Sequence, residues 1–199
     1  MKAYVVYCHP DPDSFTSAVR QRAVDALESA GHEVRVSDLY ADDFDPTMSL
    51  EEVRDHLGPP EHKPAVARYC DNLLWCEALV FIYPTWWSGQ PAMLKGWLDR
   101  VLIRGVAWDL PDGATRIVPR LANVRRLYAV TTHGSSKFIN LLEGETGRRV
   151  ISRALRVLCH RRARTTWLSL YGIDRSTAAQ REAFLDRVAS RLSRLPPFG

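Results

Sequence analysis

Apolar positions along the chain follow two alternating patterns. Short runs at residues 3–8, 78–83, 127–132 and 165–170 are rich in β-branched and aromatic side chains, and residues 33–39 extend the series. Such runs fill strands buried on both faces. Between them, apolar residues recur at helical spacing: Ala23, Ala26, Leu27 and Ala30 in one segment, and Leu94, Trp97, Leu98, Val101 and Leu102 in another. Ser14 is a good N-cap for the first of these helices and Gly31 stops it. Further helices are predicted over 64–77, 91–104 (with Pro91 at its first position), 148–159 and 176–193. Residues 40–63 are acidic and proline-bearing, a loop with one short helix opened by the capping box Ser49-x-x-Glu52. Residues 105–124 read as irregular.

Strands alternating with helices predict an α/β protein whose parallel sheet is covered on both faces. No repeat or linker divides the 199 residues, so one domain over 1–199 is expected. Five strands suit the order 2-1-3-4-5, in which ligand binds beyond the carboxyl ends of strands one and three. That rule directs attention to the loops after Cys8, Tyr83 and Thr132.

The first loop, His9-Pro-Asp-Pro-Asp13, leads into Ser14, Phe15, Thr16 and Ser17 at a helix start. Free amides, hydroxyls and His9 there make a phosphate cradle. A serine N-cap also serves stability alone, and Asp11 and Asp13 oppose a phosphate unless they turn outward. The second loop, Pro84-Thr-Trp-Trp-Ser-Gly-Gln-Pro91, holds two adjacent tryptophans. Rings of that size are costly to leave in water, so they stack on a flat cofactor, cover a subunit contact or lid the core. The third loop, Thr131-Thr-His-Gly-Ser-Ser136, offers small donors around a glycine. Its His133 is a hydrogen-bond donor, a proton relay or simply a loop residue.

Several chemistries drop out. No two of the eleven glycines are separated by a single residue, which removes G-x-G-x-x-G; no P-loop and no G-x-S-x-G occurs either. An independent nicotinamide-dinucleotide domain, an ATP site and the commonest serine hydrolase are therefore not expected. Cys8, Cys70, Cys76 and Cys159 are scattered without metal-ligand spacing, so reduced core thiols and no metal are expected. No apolar run is long enough to span a bilayer, and the first is too short for a signal peptide, which points to the cytoplasm without stable membrane insertion. The net charge of +4 is uneven: residues 1–115 carry 10 basic against 18 acidic side chains, and residues 116–164 carry 12 against 2. This basic band lacks the aromatic interleaving and finger or helix-turn-helix spacing of nucleic-acid binders. A solvated face, a subunit contact or help with cofactor phosphates remain open for it.

In order, His9-Pro-x-x-x-Ser14-Phe15-Thr16-x-Ala18, Pro84-x-Trp-Trp-x-Gly-x-Pro91-Ala-Met-Leu-Lys-Gly-Trp-Leu-Asp-Arg100-Val and Thr131-Thr-x-Gly134 resemble the flavodoxin-like NAD(P)H:quinone oxidoreductase family. That family includes bacterial modulators of drug activity and ancillary subunits of potassium-efflux systems. The resemblance covers roughly residues 1–172. It implies a flavodoxin-like three-layer α/β sandwich and a non-covalent flavin, usually FAD and sometimes FMN. It also implies a homodimer with the isoalloxazine at the subunit boundary and the 91–104 helix packed at the dimer. By position, His9, Ser14, Phe15, Thr16 and Ala18 would hold the flavin phosphates, and Pro84, Thr85, Trp86 and Trp87 would line the ring. Thr131, Thr132, His133 and Gly134 would close its far side, with Thr132 and His133 as the catalytic candidates. In the best-known branch a Tyr and a His follow the third loop, whereas Ile139 and Glu145 stand at those places here. His133 or Lys137 would then take over their role, or backbone amides would act alone. The expected activity is ping-pong hydride transfer from NAD(P)H to a quinone or similar small acceptor. A one-electron carrier and a flavin-binding regulatory subunit are the alternatives.

Overall fold

The computed structural model describes residues 1–195; of the closing stretch 195–199, which carries no functional signal in the sequence, all but Leu195 lie outside the described residues. In chain order the elements are β1 (Lys2–Tyr7), α1 (Phe15–Ser29), β2 (Glu33–Asp38), α2 (Leu50–Arg54), α3 (Ala67–Trp75), β3 (Ala78–Pro84), α4 (Ala92–Val101), β4 (Trp108–Asp109), β5 (Val118–Pro119), β6 (Arg126–His133), α5 (Lys137–Leu142), α6 (Thr146–Arg149), β7 (Arg164–Tyr171) and α7 (Ala178–Ser193).

Five of the described strands form one parallel sheet in the order β2-β1-β3-β6-β7, which is the expected 2-1-3-4-5 arrangement. Val5 faces Val36 on one side and Val80 on the other, and Val80 in turn faces Tyr128. Successive side chains of a strand point to opposite faces, so each central strand feeds two cores. Tyr4, Val6, Leu79, Phe81, Leu127 and Ala129 pack with α3 and α4 through Leu73, Leu94 and Trp97. Val5, Tyr7, Val80, Ile82, Tyr128 and Val130 pack with α1 and α7 through Ala23, Leu27, Phe184 and Val188. Burial on both faces is why β3 and β6 read as unbroken apolar runs.

Ser14 caps α1 by accepting from the Ser17 amide (3.2 Å), and Gly31 turns the chain at φ +76°. The capping box at Ser49 and Glu52 is formed, each side chain bonded to the other residue's amide. Several boundaries differ from the sequence reading. Pro91 lies outside α4 as its N-cap, and α4 ends at Val101. The 64–77 helix opens with a 3-10 turn at Pro64–Val66. The 148–159 helix is broken into α6, a wider π turn at Val150–Leu155 and a 3-10 turn at Arg156–Leu158. The 105–124 stretch is ordered: β4 pairs antiparallel with β5, and Asp109 accepts from Arg104 (3.0 Å) and Arg120 (3.4 Å). Helix α5 is absent from the sequence reading because its apolar residues Phe138, Ile139, Leu141 and Leu142 all face outward.

All four cysteines are buried and unpaired, and burial pushes the thiols of Cys8, Cys70 and Cys159 up to about 12. Among the described residues no helix is long and apolar enough to cross a membrane.

Candidate functional site

The loops after β1, β3 and β6 meet at the carboxyl edge of the sheet because those strands are neighbours. The Thr85 amide donates to the Thr132 carbonyl (2.8 Å), and the Thr85 and Thr131 hydroxyls share a hydrogen bond (2.8 Å). In the first loop His9 Nδ1 lies 3.0 Å from the Asp11 amide and 3.1 Å from the Asp11 carbonyl, which ties the ring to that backbone. The Asp13 amide caps the exposed Asp11 carboxylate (2.8 Å). At the start of α1 the Phe15 and Thr16 amides have no partner in the preceding turn, as in any helix. The Phe15 ring lies 6.2 Å from Phe184 of α7, so Phe15 serves this loop through its amide. Thr16 and Ser17 are buried and Ala18 is exposed. The His9 ring sits 6.1 Å from Trp86, joining the first loop to the second.

The second loop is a tight turn. Trp86 and Gly89 exchange two backbone hydrogen bonds (3.2 and 3.1 Å), while Trp87 and Ser88 have φ of +47° and +60°. Positive φ at both central residues defines a type I′ turn, which favours Asn and Gly there. Tryptophan and serine in those places store strain of about 1 kcal/mol or more each. Surrounding bonds hold the strain in place. Ser88 Oγ donates to Glu143 (2.5 Å), the Ser88 carbonyl accepts from the Thr146 hydroxyl (2.5 Å) and the Gly147 amide (3.2 Å), and Gln90 donates to the Gly147 carbonyl (2.8 Å). The turn presents Trp87 to solvent with its side chain fully exposed (102%), and Trp86 is 43% exposed.

Behind this turn lies a cavity of about 230 Å³ bounded by Thr85, Trp87, Ser88, His133, Gly134 and Asn140, with Ser135 and Glu143 at its rim. His133 is 6% exposed and stacks on Tyr171 (4.5 Å, 22°). Asn140 donates its amide to Ser135 Oγ and the Ser136 carbonyl, both at 2.8 Å. Its Oδ1 is therefore an acceptor, and His133 Nδ1–H donates to it at 2.7 Å. His133 Nε2 is left buried with no hydrogen-bond partner. Burial pulls the imidazole below its ordinary range against the opposing effects of Asn140, Glu145 and Glu143, so it rests neutral with a bare lone pair on Nε2.

Thus Thr85, Trp87, His133 and Gly134 surround one cavity. Thr131 and Thr132 bond to Thr85 at its wall and His9 lies against Trp86, whereas Ser14, Phe15, Thr16 and Ala18 at the start of α1 are not among its lining residues. Pro84 is buried as the last residue of β3. Lys137 and Ile139 are exposed on α5, and Glu145, at φ +47°, is tied to Arg148 (2.9 Å). Ser88, Ser135, Asn140 and Glu143 were not foreseen. The serine at 136, whose side chain caps α5, and Gly144 beyond its end are the sequence signals that would have located them.

A doubly wound parallel sheet with its ligand-binding loops at the strand carboxyl ends defines the flavodoxin-like class of α/β proteins. The chain belongs to the Flavodoxin_2 family, described as flavodoxin-like fold, whose profile matches residues 1–192. Ribosyldihydronicotinamide dehydrogenase (quinone) of Pongo abelii is 35% identical over 154 residues, 68% of this chain and 65% of that protein. NAD(P)H dehydrogenase (quinone) 1 of Cavia porcellus is 31% identical over 156 residues, 70% of this chain and 56% of that protein. The chain thus matches somewhat less than two thirds of the length of these relatives. Among solved structures, an NAD(P)H:quinone oxidoreductase from Methanothermobacter marburgensis shares the fold with a TM-score of 0.80 and 27% identity, over 98% of this chain and 99% of that one.

Proposed function

We propose that this protein is a flavin-dependent NAD(P)H oxidoreductase that passes a hydride to a quinone or similar small acceptor, acting as a homodimer in the cytoplasm with FAD as its cofactor. The observation that carries the reading is the strained, fully exposed Trp87 beside the cavity whose wall holds the unpartnered His133 Nε2. An indole in water on a left-handed backbone costs free energy that a flat aromatic ligand or a second subunit recovers. The residues fit a flavin. The α1 start supplies amides and the Ser14 and Thr16 hydroxyls for phosphates, and the Asp11 carboxylate is already capped by an amide.

A flavin held there would supply the two-electron redox chemistry that links the nicotinamide to the acceptor. The chain's own residues orient and move protons. The Thr85–Thr132 bond fixes the floor of the site, and Trp86 and Trp87 provide flat surfaces against which rings stack in reacting distance. His133, held by Asn140 and Tyr171, offers its bare Nε2 lone pair as an acceptor for a hydrogen bond or for a proton released in the cycle. With no second dinucleotide motif, donor and acceptor use the same open face in turn, a ping-pong cycle. The exposed Phe138, Leu141 and Leu142 of α5 lie next to this site in sequence and give a second copy an apolar surface to cover.

Initial rates of NADH and NADPH oxidation by the FAD-loaded protein with varied menadione test the reading. Parallel double-reciprocal lines are expected. Absence of turnover with menadione, an azo dye and a nitroaromatic would leave a flavin carrier or regulatory subunit instead.

A further inference from the structure

At the opposite end of the sheet, the first residues of β6 and β7 are Arg126 and Arg164, which face each other in register. Helix α7 crosses above them and contributes Arg187 and Arg191, with Arg194 at its C-cap. The five arginines and Thr166 surround a concavity of about 510 Å³, to which Tyr128 and Ser190 add hydroxyls; among the described residues no carboxylate lines it. Among the described residues Arg164, Arg187, Arg191 and Arg194 form no ion pair. The acids of α7 point elsewhere: Glu182 and Asp186 both pair with Arg22 of α1 (2.5 and 2.7 Å). Two guanidiniums are held by carbonyls, Arg187 by Ser169 (2.8 Å) and Arg126 by Arg125 (3.5 Å).

Like charges placed opposite one another on neighbouring strands destabilise a sheet, and three more on the covering helix add to that cost. Arg164, Arg187, Arg191 and Arg194 have no ion pair among the described residues, and an anion seated between them would offset their repulsion. We propose that this pocket is a binding site for a small molecule bearing two or more phosphate groups. The guanidinium fork matches phosphate oxygens in pairs, and hydroxyls complete such a site. The four guanidiniums of Arg164, Arg187, Arg191 and Arg194, which form no ion pair among the described residues, exceed the charge of one carboxylate or one phosphate. The volume lies in the range of small-ligand pockets, and the shape is a recess rather than the stripe along which a nucleic-acid backbone runs. Arg126 and Arg164 stand seven residues before His133 and Tyr171 on the same strands, about 23 Å away at ~3.3 Å per residue. The pocket is therefore separate from the proposed redox site and does not depend on that reading.

Calorimetric titration of the purified full-length protein with inorganic pyrophosphate tests the assignment. One equivalent is expected to bind, with affinity that falls steeply as salt is raised. R164Q/R191Q removes two exposed arginines of the pocket and is expected to weaken binding at least tenfold while the protein melts no lower than the wild type. R116Q/R153Q, an equal loss of exposed charge outside the pocket, is expected to bind as the wild type does. The proposal is overturned if pyrophosphate gives no binding, if R164Q/R191Q binds it unchanged, or if both double variants lose it equally. Binding of anionic vesicles or duplex DNA through Arg164 and Arg191 without pyrophosphate binding would also overturn it, in favour of a macromolecular partner.

Discussion

His133 Nδ1 stands 2.7 Å from Asn140 Oδ1, and the direction of the proton between them is fixed. Both amide hydrogens of Asn140 are committed to Ser135 and Ser136, so Oδ1 can only accept. Replacing Asn140 with Leu leaves the buried Nδ1–H without an acceptor. A loss of about 1–3 kcal/mol in unfolding free energy is expected, measured by chemical denaturation. Quinone reduction by His133→Gln is expected to fall about 100-fold in kcat with folding retained. Unchanged kcat in His133→Gln would remove the imidazole from the proton path.

The same imidazole makes stability depend on pH. Burial lowers its folded pKa, with Asn140, Glu145 and Glu143 opposing, while in the unfolded chain it titrates near its ordinary value of about 6.5. Between the lowered folded value and about 6.5 the unfolded state binds more protons, so stability rises with pH there. The contribution is complete above that window and is lost as pH falls through it. Melting curves from pH 7.5 to 5 should show the fall in the wild type and a smaller fall in His133→Gln; equal falls would refute the assignment.

Trp87 sits where Asn is at ease. Trp87→Asn keeps the type I′ turn and relieves left-handed strain, so it is expected to stabilise the protein by about 0.5–1 kcal/mol. The same change removes the exposed ring and is expected to weaken flavin retention or raise KM for the acceptor by about tenfold, as loss of roughly 1.4 kcal/mol of stacking implies. A variant that is both less stable and fully active would contradict this account of the turn.

Gly96 gives α4 a bare patch against the 45–48 segment. A Cβ there would meet the Pro46 carbonyl oxygen at 2.3 Å and Pro46 Cα at 2.5 Å. Gly96→Ala gains helix propensity of about 1 kcal/mol at most, yet must displace backbone. The buried Arg100, on the same helix, holds Glu52 and the Asp45 carbonyl of that segment. A net loss of about 1–3 kcal/mol is expected from overpacking, with Tm as the readout.

The sheet was legible in the sequence because a strand buried on both faces leaves an unbroken apolar run, as at 78–83. Its order followed from the alternation with helices, and the three loops followed from the order. The α5 segment was not legible: a helix whose Phe138 and Leu141 face outward has no core-facing stripe to read. That omission hid Asn140, the residue that sets the His133 tautomer. The left-handed Trp87 was equally hidden, since Trp-Ser is an unexpected pair for the centre of a type I′ turn and only the 143–147 segment packed against it explains its persistence.

The most direct measurement is an anaerobic absorption spectrum of the purified protein loaded with FAD, before and after NADPH or NADH and then menadione. The account predicts flavin bands that bleach with the nicotinamide and return when the quinone is added. A protein that takes up neither FAD nor FMN, or whose flavin bands neither nicotinamide bleaches, would contradict it.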